Sequence, residues 1–450
     1  MNVALISYTY LSDLSPNSWR WVAVAEHWAE QGHHVDVVCA AKPRLPSYEV
    51  ANGVGVHRVG GKPVELKETL SSLGQLQASP EGSKEPTEGL GGRARVVRSS
   101  LPLLKRVHQN TWRKLYWPDH TCLWYFPALR KAGQLLAEGG YDGLISISVP
   151  FTAHLVGYGV KRRYPKVPWL VDISDPFSFA EHTPSNNLRL YRGLNYRIED
   201  KILGGADAIT LTIPGAADKY AEVFPRHAAK MRVVPFPLPS VQGRGTEPPI
   251  FPDDGKVRLV FVGNLYKNIR NPRFLLRLFA MLLRTHLANC LELHFFGNLS
   301  DCGEYFEPYR ELLGKKIFTH GPVPRDRALQ AIREATVVVN IANATPYQLP
   351  TKVMEYVSAG KPVLNLASIA NDSSVRFFAS YPAVLNLMAH AEEPTPNQRD
   401  EVLWFLEEPP LAMGPSEFHS WIAPYRVDSV AAGYENSLAL AREGRVSPSH

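Results

Sequence analysis

The sequence predicts an α/β protein made of two doubly wound, Rossmann-like domains, and three observations carry that expectation. Short β-rich apolar runs alternate with helix-period segments, which is the pattern of parallel sheets covered by helices. The alternation runs twice, interrupted at residues 242–256 by "QGRGTEPPIFPDDGK", whose Pro, Gly and Asp content reads as a linker. With 450 residues the chain is too long for one ordinary core and divides into two or three domains.

In the first series the strands read "NVALISY", "HHVDVVCA", "GVGVHRVG", "YDGLISISV", "VPWLVDIS", "ADAITLTI" and "MRVVPFP", giving a domain over 1–243. The second series reads "VRLVFVGN", "LELHFFGN", "KIFTHG", "TVVVNIA" and "PVLNLAS". Helical sequence such as "PRFLLRLFAMLLRTH" and "RDRALQAIREA" separates these strands, giving a domain over 255–415. After "EEPPLAMGP", the pattern "DSVAAGYENSLALAREG" predicts a closing helix within 425–450 that returns to the first domain. No internal repeat of short fixed period is visible.

A hydrophobic content of 45% with 20% charged residues describes a globular chain able to bury a large core. The formal charge of +6 suits an anionic partner without choosing among nucleotide, lipid and nucleic acid. Cys39, Cys122, Cys290 and Cys302 have no paired metal spacing, so free thiols in a reducing compartment are expected. "MNVALISYTY" opens on a strand, and no uncharged apolar run reaches membrane-spanning length. The expected location is cytoplasmic, with the inner face of a membrane as a further option.

One region breaks the alternation. Residues 74–92 have too little apolar content to order themselves and read as a mobile loop. From Arg93 to Trp117 follow Arg93, Arg95, Arg98, Lys105, Arg106, Arg113 and Lys114, with no acid among them. Leu, Val and Trp interleaved with these cations suit an interfacial helix on anionic lipid. A solvated helix capping the first domain is the alternative. Nucleic acid is not expected, since no recognised binding module accompanies the charge.

Dinucleotide chemistry is disfavoured, because the turn after the first strand, "SYTYLSDLSPNSWRW", has no glycine to admit a pyrophosphate. No P-loop stretch is present either. The ligand is therefore expected at the carboxyl ends of the strands, in a crevice between the domains. After "VRLVFVGN" come Tyr266, Lys267 and Arg270, basic side chains placed to meet phosphate oxygens. After "TVVVNIA" a helix is expected to begin near Thr351, offering free amides and about half a positive charge to a phosphate. Lys352 adds a full charge, and Glu355, one turn on, can accept both vicinal hydroxyls of a ribose. A solvated lysine and an ordinary surface or capping glutamate are the bland alternatives.

The second half resembles the donor-binding domain of glycosyltransferase family 4 and related GT-B enzymes. The resemblance runs through "FVGNLYKNIRNP", "GPVPRDRALQAIREATVVVNIAN" and "LPTKVMEYVSAGKPVL". The first half is similar more loosely, through "SPNSWRWVAVAEHWAEQGHHVDVV", "YDGLISISVPFTAHLVGYGVKRRYPKVPWLVDISDPF" and "LNYRIEDKILGGADAITLT". The resemblance implies a GT-B fold of two facing domains that move a sugar from a nucleotide-diphosphate donor to an acceptor on a glycan or lipid-linked glycan. It further implies retention of configuration, and polysaccharide or cell-envelope synthesis as the setting. Glu355 matches the ribose glutamate, Lys352 and Thr351 the diphosphate contact, and Arg270 the leaving-group contact.

The sequence also departs from the family. Tyr347 stands where an acid often touches the donor sugar, leaving that role to Gln348 or a backbone group. Gly263 is followed by Asn264 rather than Arg, so Lys267 and Arg270 supply the charge. "Asp172, Ile173, Ser174, Asp175, Pro176" lacks the arginine of the usual Asp-x-Arg-Asp-Pro. Breaking the bond to the diphosphate leaves negative charge on the leaving group, so fixed cations give the largest help and no metal is required. Arg270 and Lys352 are the expected catalytic cations. Asp175 is expected to orient the acceptor hydroxyl, its alternative being a turn residue before Pro176. Asn17, Ser18, Arg20 and Asp172 complete the expected acceptor side, while His154 reads as a buried, helix-facing histidine. Two other functions stay open: a non-catalytic nucleotide-sugar binder and a GT-B-type nucleotide-sugar epimerase.

Overall fold

The structure is a computed structural model that describes residues 1–11, 16–60, 115–180, 184–239, 248–409 and 415–446. The expected mobile loop at 74–92, the basic stretch from Arg93 to Lys114 and part of the linker at 242–256 lie outside these residues. The chain divides into two compact units, one of Met1–Leu211, Arg226–Arg232 and Ala431–His450, the other of Thr212–Pro225 and Val233–Val430.

The first unit holds strands β1 (Asn2–Ile6), β2 (His34–Ala40), β3 (Tyr48–Ala51), β4 (Val54–Val59), β5 (Gly143–Ile147), β6 (Trp169–Ile173), β7 (Ala208–Leu211) and β8 (Met231–Val233). They form one sheet in the order β3-β4-β2-β1-β5-β6-β7-β8. Pairs from β4 through β7 are parallel, and the short edge strand β3 is antiparallel to its neighbour. Helices α1 (Pro16–Glu30), α2 (Tyr125–Glu138), α3 (Thr152–Arg163) and α4 (Leu188–Gly205) connect them. The central strands are buried along nearly their whole length, as parallel strands covered on both faces must be. His154 is buried on α3, as expected. Trp169 Nε1, which can only donate, bonds Ser146 Oγ at 3.0 Å. The same serine oxygen lies 2.9 Å from His154 Nδ1, within hydrogen-bond distance. Burial pushes this imidazole down to a pKa of about 3, so it stays neutral.

In the second unit α5 (Pro214–Val223) is followed by β9 (Val257–Val262), α6 (Arg273–Leu282), β10 (Leu291–Phe296), β11 (Ile317–Gly321), α7 (Arg325–Glu334) and β12 (Val337–Ile341). Then come α8 (Lys352–Ser358), β13 (Val363–Ala367), α9 (Ser373–Phe377), β14 (Val384–Met388), α10 (Pro396–Glu407) and α11 (Pro415–Ile422). The six-stranded sheet runs β11-β10-β9-β12-β13-β14, parallel throughout. Two apolar clusters cover its faces. Val337 and Val339 of β12 join the cluster that includes α6, whereas Val338 between them joins the cluster of α7 and α8, the period-two alternation of a strand buried on both sides. Helix α12 (Val427–Val446) closes the chain, and its residues from Ala431 on group with the first unit.

A polar ladder fixes the register of three of these strands. Asn340, Asn365 and Asn386 sit directly opposite one another. Asn340 Nδ2 donates to Asn365 Oδ1 at 2.7 Å, and Asn365 Nδ2 to Asn386 Oδ1 at 2.7 Å. Replacing the fully buried middle member, Asn365→Leu, strands the buried Asn340 amide without its acceptor. The expected cost is about 1–3 kcal/mol, read as a lower denaturant midpoint at unchanged slope. A variant as stable as the parent would show the ladder to be dispensable. All four cysteines are free. Among the described residues no helix is long and apolar enough to cross a membrane.

Candidate donor-binding site

The strand order of the second sheet reverses between β9 and β12, and the helices that follow these two strands pack on opposite faces. Their loops diverge at that point, which opens the ligand crevice of such sheets at the carboxyl ends of the strands. Every donor-side residue expected from the sequence lies on one of these two loops or on α8.

The β9 loop leaves its strand through a close backbone crossing. A Cβ on Gly297 would lie 2.1 Å from the Gly263 carbonyl oxygen, and Gly263 itself has φ 153°, a conformation that favours glycine. The loop then folds back on itself, Arg270 N donating to Tyr266 O at 3.0 Å, which returns Arg270 towards β12. Arg270 Nε donates to Asn343 Oδ1 at 2.9 Å, and Asn343 Nδ2 to Gln348 O at 3.3 Å. One guanidinium thus ties the two loops together. Lys267 points elsewhere, pairing with Glu304 at 2.9 Å and lying over the Tyr305 ring. That carboxylate raises the lysine's pKa. Asn264 Oδ1 accepts from Asn298 N at 3.1 Å, so this side chain holds the neighbouring loop. A cavity of about 220 Å³ opens beside the β9 loop, lined by Lys267, Asn271, Ala342, Ala344 and His390 among others.

On α8 the structure corrects one expectation. Thr351 is the N-cap, yet the helix spans only seven residues, and the amides of Val353 and Met354 bond the carbonyls of Pro350 and Thr351. Tightening the first turn uses two of the donors that were expected to be free, and side chains add the full positive charges at this place. Lys352 Nζ donates to Glu355 Oε2 at 2.7 Å, and Arg325, at the start of α7, stands 3.6 Å from Glu355 Oε1. Glu355 is 6% exposed and therefore neither a surface nor a capping residue. The two cations hold this buried carboxylate in one orientation.

The loop from Asn343 to Pro350 is shaped by residues that the motifs did not point to. Asp372, fully buried, caps α9 by accepting from Ser374 N at 2.8 Å and Ser374 Oγ at 2.7 Å. The same carboxylate accepts from Thr345 N at 3.2 Å and from the Ala344 amide, and burial outweighs these donors to raise its pKa. Ser373 adds two bonds, N to Thr345 O at 3.0 Å and Oγ to Gln348 O at 2.8 Å. From the other side α5 presses on the loop, for a Cβ on Gly215 would lie 2.0 Å from Pro346 O. Gly215→Ala should leave α5 intact or better formed while displacing the loop. Nucleotide-sugar affinity is then expected to fall on the order of tenfold, the equivalent of one lost charged hydrogen bond. Unchanged affinity in a calorimetric titration would separate the loop from the donor.

The acceptor-side residues belong to the first unit, whose strand order reverses between β1 and β5. Here the structure again corrects the expectation, since Arg20 and Asp172 are 0% exposed and bond each other at 2.5 Å. Asp172 Oδ2 also accepts from Trp21 Nε1 at 3.0 Å, and Oδ1 from Thr210 Oγ1 at 2.9 Å and Tyr434 Oη at 3.1 Å. Ser18 is buried as well. These three side chains are buried within the first unit rather than exposed at its surface. Arg20 further donates to Ser174 Oγ at 2.8 Å, and Ser174 Oγ to Ser148 O at 2.9 Å, which fixes the end of β6 just before the half-buried Asp175. The side chain of Asn17 lies outside the described residues.

Residues 18–237 match the family described as glycosyl transferase 4-like domain, and residues 256–373 the glycosyl transferases group 1. No curated protein matches the chain. Among solved structures it is similar to sucrose-phosphate synthase from Thermosynechococcus elongatus, with 15% identity, a TM-score of 0.62, and 99% of this chain and 100% of that one covered. It is also similar to HepE of Anabaena in complex with UDP, with 11% identity, a TM-score of 0.57, and 98% and 100% covered. A UDP-forming alpha,alpha-trehalose-phosphate synthase from Burkholderia xenovorans in complex with glucose-6-phosphate gives 12% identity, a TM-score of 0.57, and 98% and 100% covered. At such identities the likeness is one of fold.

Proposed function

We propose that this chain, which belongs to the GT-B glycosyltransferases through its 4-like and group 1 domains, moves a sugar from a nucleotide-diphosphate donor to a hydroxyl on a glycan or lipid-linked glycan. The observation that carries the reading is the buried Glu355 held between Lys352 and Arg325 beside the Arg270–Asn343 bridge, at the switch point of the donor-side sheet. When donor binds, Glu355 accepts the two ribose hydroxyls, and Lys352 exchanges its carboxylate partner for a phosphate oxygen. Arg325 remains beside Glu355 as its positive neighbour. Arg270 meets the leaving diphosphate, with the Thr351 hydroxyl beside it, and the close turn at Gly263 and Asn264 lets the phosphates approach the backbone. Lys267 joins them by releasing Glu304. Gln348 and the clamped loop around Tyr347 read the donor sugar.

Transfer builds negative charge on the departing diphosphate, and fixed cations stabilise it without reorganisation, so the reaction proceeds without a metal ion. Asp175 orients the acceptor hydroxyl and receives its proton, while Arg20, Asp172 and Ser18 hold the strand end that carries it. Asn17 completes the acceptor side. Retention of configuration, a role in polysaccharide or cell-envelope synthesis, and a cytoplasmic place at the inner membrane face belong to the same reading.

Thermal shift across a panel of nucleotide-sugars tests it, beginning with uridine diphosphate sugars because Anabaena HepE was solved with UDP. One donor is expected to raise the melting temperature and to undergo slow, chelator-insensitive hydrolysis. Tyr347, in place of an acid, keeps a non-catalytic binder as the second reading: stabilisation with no turnover under any acceptor would establish it. Epimer formation without hydrolysis would replace transfer by isomerisation.

A further inference from the structure

Of the residues expected on the donor side, only Lys267 lines the cavity of about 220 Å³ beside the β9 loop. The apolar floor of this cavity is Phe274, Ile341 and Leu366, which belong to the cluster of α6. Val353, Met354, Tyr356 and Val357 of α8 belong to the other cluster. The cavity and the helix that carries Glu355 therefore lie on opposite faces of the sheet. Ala342 and Ala344 line the cavity, while Asn343 between them turns its side chain to Arg270.

Bonds among the lining residues hold the walls in place. Asn271 Oδ1 accepts from Arg273 N at 2.9 Å and Asn271 Nδ2 donates to Lys267 O at 3.3 Å, which fixes the β9 loop against the start of α6. Arg273 pairs with Glu392 and lies over the Tyr305 ring, and Arg277 donates to Glu392 O at 3.0 Å. The loop after β14 is thus tied to α6. Ala344 keeps φ at 56°, a value an alanine seldom takes, with its amide held by Asp372. Ser368 is half-buried, whereas His390 and Glu392 are exposed and form the solvent edge.

Size and chemistry select the occupant. The volume lies below the roughly 300–1,000 Å³ of pockets for drug-sized ligands, which leaves room for about one ring. Both cations at the edge already hold a carboxylate, Lys267 that of Glu304 at 2.9 Å and Arg273 that of Glu392. An anion would have to displace one of them. Neutral hydroxyls displace nothing: they accept from the remaining N–H groups of either cation and donate to Glu392, and Ser368 and His390 can serve in both senses. We propose that this cavity binds one ring of a neutral carbohydrate, a free sugar or the end residue of a glycan, at a place separate from the donor. The apolar floor takes the C–H face of the ring and the polar edge its hydroxyls.

Saturation-transfer NMR on the full chain without nucleotide tests this, with glucose, galactose, mannose, N-acetylglucosamine and their methyl glycosides as probes. For a ligand of about a dozen heavy atoms the expected Kd is on the order of a millimolar. A methyl glycoside that binds as well as its parent sugar assigns the site to a glycan end, and one that binds more weakly assigns it to the free sugar. Ala391→Trp, at the exposed edge of the cavity, should abolish binding by filling it. His390→Ala should lower affinity about tenfold, the equivalent of one hydrogen bond. Nucleotide-sugar thermal shift should be unchanged in both variants, so this inference and the donor reading can fail separately. If no sugar binds, or if both variants bind as well as the parent, the proposal falls. Displacement of the sugar by inorganic phosphate would also overturn it and make the cavity an anion site.

Discussion

Arg20→Met is expected to destabilise the first unit by about 3–5 kcal/mol, because it leaves Asp172 as a buried carboxylate without its counter-charge. The three remaining donors to Asp172 come from Trp21, Thr210 and Tyr434, all neutral. They can share the carboxylate's lone pairs but cannot offset the cost of burying its charge. The loss should appear as faster hydrogen exchange in α1, β6 and α12 together, since Asp172 of β6 bonds Trp21 of α1 and Tyr434 of α12. Asp172→Leu added to Arg20→Met should restore only part of the stability, since it removes the unpaired charge but strands the Trp21, Thr210 and Tyr434 donors. Tyr434→Phe removes two hydrogen bonds, one to Asp172 and one from Arg20, but leaves the ion pair and should cost less, about 1–3 kcal/mol. An Arg20→Met protein within 1 kcal/mol of wild type would show that Asp172 is stabilised by other means.

The same pair shows what the sequence could and could not convey. Strand runs, helix periods and the two series were legible because burial on both faces of a parallel sheet forces continuous apolar strands, as in "VVVNI" and "LVDI". Lys352 and Glu355 were legible because a loop at the end of a central strand has few places to go. Whether Arg20 and Asp172 would face a ligand or each other was not legible, since a strand end and a helix start reveal proximity but not burial. Tyr434, more than two hundred residues from Asp172, carried no local signal. Asp372 did carry one, an Asp before Ser-Ser being a good N-cap. That the same carboxylate would also hold the Ala344 and Thr345 amides depended on two loops meeting, which only tertiary structure shows. The six-strand order β11-β10-β9-β12-β13-β14 includes β14, "VLNLM", which the expected series lacks; at the sheet edge only Leu387 of it is fully buried.

Arg270→Ala is expected to lower kcat by about a hundred- to a thousandfold, the loss usual when one preorganised donor to a developing anion is removed. The donor KM should change far less. On the proposed reading, ground-state binding is shared with Glu355 and Lys352, while the charge that grows on the leaving diphosphate falls chiefly to the guanidinium. Glu355→Ala should show the converse, a raised donor KM, because ribose hydroxyls carry the same charge before and after the bond breaks. Arg270→Lys should recover only part of the rate. An ammonium restores charge but cannot donate to Asn343 and reach phosphate with a rigid fork at once. Asn343→Ala isolates that second part. If the Arg270–Asn343 bond aims the guanidinium, the two substitutions should be less than additive in kcat when combined. Should Arg270→Ala raise KM and spare kcat, Arg270 would be a binding residue only. The leaving-group role would then pass to Lys352, which already stands beside Glu355 and needs only to change partners.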